Sequence, residues 1–109
     1  MSIDVEKIYK ELDEAGTSWA LAKADYEEKD DLTKTVLADC TSDFMGTSKS
    51  KTEAEMFALR SDGFRQHLAE VSKCRRAWLL SQVKFENLKT LAELRRSQES
   101  TRRAEMNLR

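Results

Sequence analysis

Over its whole length the chain contains no proline and only three glycines, Gly16, Gly46 and Gly63. Proline is the residue that most firmly stops a helix, because it lacks the backbone donor and its ring clashes with the preceding turn. Without it, nothing but glycine and capping chemistry can end a helix here. The three glycines are spaced to suit two long helices with something short between them. At 109 residues the chain supplies one domain, near the small end of what a single core holds together.

The apolar pattern fills in that outline. Ile8, Leu12, Ala15, Trp19, Ala22 and Tyr26 recur in alternating steps of four and three. After Lys29 and Thr33 the stripe resumes at Val36 and Cys40. Such a heptad-like seam faces a partner helix. Gly16-Thr17-Ser18 offers a glycine exit and a new cap. The stripe nevertheless keeps its phase across Gly16, so the reading is one continuous helix over about 4–44.

Residues 45–50 read as the main loop. Ser50-Lys-Thr-Glu53 has the spacing of a capping box, which starts a short helix over 51–60 with Ala54, Met56, Phe57, Ala58 and Leu59 as its apolar side. Ser61 or Asp62 then caps a second long helix over 62–105. On it Val71, Cys74, Trp78, Ser81, Phe85, Leu88 and Ala92 hold the same alternation, while Leu80, Val83, Leu91 and Leu94 form a second row off that stripe. A helix that is apolar on more than one side needs more than one neighbour.

The fold class expected is therefore all-α, a single helical domain over 1–109. Two long antiparallel helices are joined by a loop and a short helix. A single helix over 64–109 would measure roughly 69 Å at about 1.5 Å per residue. A compact globule of this length has a radius of gyration of only about 13 Å. Other copies of the chain are the expected cover, which makes it a helical homo-oligomer. The interface residues would be Trp78, Leu80, Val83, Phe85, Leu88, Leu91 and Leu94, and Trp78→Ala would rank among the worst single changes.

No apolar run reaches the ~18 residues that would span a bilayer. The start, Met1-Ser-Ile-Asp-Val-Glu-Lys, lacks the cationic-then-apolar pattern of a secretion leader. Cys40 and Cys74 lie inside helical patterns and read as small hydrophobes in a reducing cytoplasm.

Net charge is −1, but it is unevenly placed. Residues 1–55 hold 7 Lys and Arg against 14 Asp and Glu, whereas residues 56–109 hold 12 against 6. Ten of the basic residues follow position 72: Lys73, Arg75, Arg76, Lys84, Lys89, Arg95, Arg96, Arg102, Arg103 and Arg109. Arginine's planar fork suits phosphate oxygens. All but Lys73 and Arg109 are nominated as nucleic-acid contacts, in salt-dependent and sequence-blind binding. Glu86, Glu93, Glu99 and Glu105 interleave with them, which also fits a merely solvated helix.

Catalysis finds little footing. His67, the only histidine, makes a His-x-x-Glu pair with Glu70, but a carboxylate-bridged di-metal bundle needs about two such pairs and two more glutamates. There is no glycine-rich phosphate loop and no exposed nucleophile turn. The acidic run Asp25-Tyr-Glu-Glu-Lys-Asp-Asp31 spreads its carboxylates around the helix. The expectation is a non-enzyme with no catalytic or metal site and no cofactor.

Ala58-Leu-Arg-Ser-Asp-Gly-Phe-Arg-Gln-His-Leu, then Lys84-Phe-Glu-Asn-Leu, then Arg96-Ser…Thr101-Arg-Arg-Ala-Glu-Met together resemble small helical proteins of tailed phages. The long–short–long arrangement over residues 19–109 is similar to that of UvsY-type recombination mediators. That resemblance implies an oligomer in the host cytoplasm that binds single-stranded DNA. It also implies help in loading a RecA-like recombinase onto strands covered by single-strand-binding protein. The family's DNA-contacting stretch lies in its earlier part, where this chain is acidic, so the arginines named above rest on charge alone. The competing expectation is a helical adaptor or inhibitor that binds protein and no nucleic acid.

Overall fold

A computed structural model describes residues 5–108. The expected helix start at residue 4, most of the segment read for a leader, and Arg109 lie outside them. The described residues form α1 (Val5–Asp31), α2 (Thr33–Met45), α3 (Lys51–Arg60) and α4 (Asp62–Asn107), with no strand among them. The class is all-α.

The helix expected over 4–44 is divided at Leu32, and Gly16 does not break it. Leu32 has φ −80° and ψ −8°, close to the helical region but turned toward the bridge. Its amide still donates to the Glu28 carbonyl at 3.3 Å, and the Val36 amide donates to the Leu32 carbonyl at 2.9 Å. The interruption is thus a local turn with helical bonds retained on both sides. No described glycine has a positive φ.

The caps follow the side-chain chemistry. Ser50 has extended backbone, and its hydroxyl accepts from the Glu53 amide at 3.2 Å. Ser61 serves two helices at once. Its hydroxyl donates to the Ala58 carbonyl at the end of α3 (2.6 Å) and accepts from the Phe64 amide in the first turn of α4 (3.3 Å). A residue in that double role satisfies orphan groups at both helix ends.

The chain divides into two compact units. One holds α1 up to Leu21 and α4 from Leu79 onward. Ile8, Leu12, Ala15 and Trp19 of α1 are half-buried or buried, as are Ser81, Phe85, Leu88 and Ala92 of α4. Trp19 stacks on Phe85 with centroids 5.1 Å apart and planes 27° from parallel. Arg96 donates to the Tyr9 hydroxyl at 3.0 Å. Trp19 opposite Phe85 and Tyr9 opposite Arg96 make the pair antiparallel. Gly16 lies directly against Phe85 of α4: a Cβ there would sit 3.2 Å from the ring edge.

The other unit is Ala22–Trp78. Tyr26 stacks on Trp78 at 5.3 Å and 13°, Lys29 pairs with Glu70 at 3.3 Å, and Thr33 Oγ1 lies 3.0 Å from His67 Nε2. These pairs are again antiparallel. Ala54 and Ala58 of α3 are fully buried and Phe64 nearly so. Phe44 and Phe57 meet at 5.9 Å. The apolar side read for α3 was too broad. The small residues Ala54 and Ala58, four apart, take the close contact, while Met56 and Leu59 are exposed.

Candidate functional site

The residues nominated for an interface separate into two groups with different surroundings. Trp78, Phe85 and Leu88 lie on the seam inside the chain, the first two in the aromatic stacks just described. They are half-buried on the side of α4 that faces the chain's own α1. Leu80, Val83, Leu91 and Leu94 are exposed. With about 100° of rotation per residue, this second row sits about 140° around α4 from the seam. The excess apolar surface seen in the sequence is therefore a separate face, not a broader seam.

The eight basic residues also separate. Arg75 and Arg76 are in the Ala22–Trp78 unit, and Lys84, Lys89, Arg95, Arg96, Arg102 and Arg103 are in the other. Among the described residues, Arg75, Arg76, Lys84, Lys89, Arg95, Arg102 and Arg103 stand in no ion pair. Arg95 and Arg102 are seven apart, as are Arg96 and Arg103, and the two pairs are neighbours. All four side chains then leave α4 within an arc of about 120° and about 12 Å of its length. Arg95 is half-buried and the other three are exposed.

That arc continues the seam side of α4. The rhythm Phe85, Leu88, Ala92 passes into Arg95 and Arg96, then Arg102 and Arg103. Arg95 and Arg96 line a cleft of about 100 Å³ with Val5, Ile8, Tyr9, Ala92 and Glu99. The hydrogen bond to the Tyr9 hydroxyl holds the Arg96 guanidinium above its already high ordinary pKa. Glu99 falls inside the same arc and leaves a net of three positive charges. Lys84 lies elsewhere, beside an open groove of about 610 Å³ whose lining includes Glu11, Glu14 and Ser18. It faces carboxylates and does not extend the arginine band. Lys89 lies at the seam-side edge of α4, outside the quartet. Sequence reasoning named the arginines but not their grouping, for which the seven-residue spacing was the available signal.

The remaining polar candidates have local partners. Glu70 pairs with Lys29 and His67 with Thr33. Among the described residues no three His, Cys, Asp or Glu side chains are placed to hold a metal. Cys40 and Cys74 are free thiols, half-buried. In the acidic run Tyr26 and Lys29 turn inward, and Asp25, Glu27, Glu28, Asp30 and Asp31 are exposed. No helix among the described residues is long and apolar enough to cross a membrane. The indole N–H groups of Trp19 and Trp78 are buried without an acceptor among the described residues.

Comparison with protein-family models, with curated proteins and with solved structures gave no match to this chain.

Proposed function

We propose that this chain is a non-enzymatic helical accessory protein that associates with copies of itself. In this reading it binds single-stranded DNA through Arg95, Arg96, Arg102 and Arg103. The observation that carries it is the quartet: four guanidinium groups on one arc, none in an ion pair among the described residues. A basic band of that kind attracts a flexible polyanion, whose phosphates can adapt to the four guanidinium forks. Stacking contributes little, because Trp19, Tyr26, Trp78 and Phe85 are engaged with one another on the seam. Binding is thus electrostatic and insensitive to sequence. The likeness to UvsY-type mediators supplies the setting: phage recombination in the host cytoplasm, beside a RecA-like recombinase or a single-strand-binding protein.

The test is a fluorescence-anisotropy titration with a single-stranded oligonucleotide at low salt. Four phosphate contacts give a slope of log affinity against log salt of about −3. Replacing all four arginines by glutamine should flatten that slope and abolish binding in the micromolar range. No binding at tens of micromolar, or binding indifferent to salt, rejects the nucleic-acid reading. The exposed row Leu80, Val83, Leu91 and Leu94 favours a second reading, a protein-binding module without nucleic acid, which would survive that rejection.

A further inference from the structure

The exposed row on α4 is a mirror image of itself. Leu80 and Leu94 lie seven positions either side of Asn87, and Val83 and Leu91 lie four positions either side. At helical phase Asn87 falls on the midline of the row. We propose that two copies pair antiparallel through this face, on a two-fold axis that passes through Asn87. The proposal rests on the self-association part of the function proposed above, and it names that contact's residues and register.

A two-fold contact is self-complementary: if one residue meets a second, the second meets the first. Antiparallel pairing meets that condition here, as an in-register parallel pair also would, and the arginines separate the two. Leu80 packs on the second copy's Leu94 at one end, Val83 on its Leu91 nearer the centre, and the same pairs repeat across the axis. The side chains are available for it, with Leu80 71%, Val83 53%, Leu91 40% and Leu94 54% exposed. Asn87 is exposed as well. Buried alone in an apolar contact its amide would be costly. On the axis each amide can donate to the carbonyl of its twin. A single asparagine at a seam position is a known way for helices to fix register and oligomer state.

The area and the distance between the two arginine quartets are consistent with this occupant. A buried aliphatic side chain withdraws on the order of 100 Å² of apolar surface, so the eight in the pair remove about 800 Å². That is about half a standard interface, the size of a weak, reversible contact and not of a permanent one. Parallel pairing would lay the arginine quartets of both copies side by side. Antiparallel pairing carries Arg102 of each copy about 45 Å from the other, several Debye lengths at physiological salt.

Cysteine cross-linking tests the register in the full chain with Cys40→Ser and Cys74→Ser. Under mild oxidation Asn87→Cys should form a disulfide-linked dimer, since an axial position meets its own twin. Leu80→Cys alone should not link, but mixed with a tagged Leu94→Cys chain it should form the heterodimer. Sedimentation equilibrium should show a mass that rises with concentration, and Leu80→Glu should weaken the dimer at least about tenfold with unchanged helicity. Self-linking of Leu80→Cys would overturn the antiparallel register while leaving self-association standing. A monomer at several hundred micromolar would remove both, and the DNA titration would still report on the arginines independently.

Discussion

Gly16 offers a test in which two known effects oppose each other at one atom. In the middle of a helix, glycine to alanine stabilises by about 0.8–1.0 kcal/mol, because alanine loses less backbone freedom on folding. Here the new methyl would stand 3.2 Å from Phe85 Cε2, tighter than ordinary van der Waals contact. To make room the ring must shift by a few tenths of an ångström against its stack on Trp19, whose centroid is 5.1 Å away. Overpacking of this kind costs about 1–3 kcal/mol. Gly16→Ala should therefore be neutral or destabilising in the natural chain. Phe85→Leu removes the ring edge, and in that background the same Gly16→Ala change should stabilise by about 1 kcal/mol. The coupling between the two positions is then about 1 kcal/mol or more. Urea melts of the four chains by far-UV circular dichroism measure it, at one fixed protein concentration because the proposed association would shift apparent stability. If Gly16→Ala stabilises both backgrounds equally, Phe85 is not what demands a glycine, and the close approach of α1 and α4 at this point is wrong.

Trp78→Ala should lower stability by about 2–4 kcal/mol, somewhat less than for a fully buried tryptophan, with the Tyr26 stack lost. Trp78→Phe should cost distinctly less, since it keeps a ring against Tyr26 and discards an N–H that has no acceptor among the described residues. Equal thermal midpoints for the two variants would refute that ordering. Ser61→Ala should cost about 1–2 kcal/mol and more than Ser50→Ala, because Ser61 caps α4 and also satisfies the end of α3. Denaturant midpoints decide between the two serines.

The seam was legible because its information is periodic. Every position read onto it, from Ile8 to Cys40 and from Val71 to Ala92, is half-buried or buried. Periodicity depends only on which side of a helix meets another. The Ser50 cap was legible for a similar reason, being a local pattern completed within one turn. The break at Leu32 was not, since leucine is a good helix former and the hydrogen bonds on either side persist. Nothing in the residue's own chemistry marks it. The apolar side of α3 was overcounted because hydrophobicity does not say how close two helices will come. A close approach selects Ala54 and Ala58 and leaves Met56 and Leu59 outside.

The second face of α4 carries the most consequence, because the sequence revealed its excess but not its direction. Had Leu80, Val83, Leu91 and Leu94 merely broadened the seam, α1 would have covered them and α4 would offer no second apolar face. They point about 140° away from the seam, so α1 cannot reach them without releasing Phe85 and Trp19 from each other. One helix therefore meets α1 on one side and offers apolar surface on another. The arginine quartet continues the α1-facing side toward the C-terminus. Separation of the last two surfaces lets the proposed self-association and the proposed polyanion binding be tested one at a time, by Leu80→Glu in the first case and by the arginine substitutions in the second. A protein whose association and DNA binding used the same side chains would lose both together.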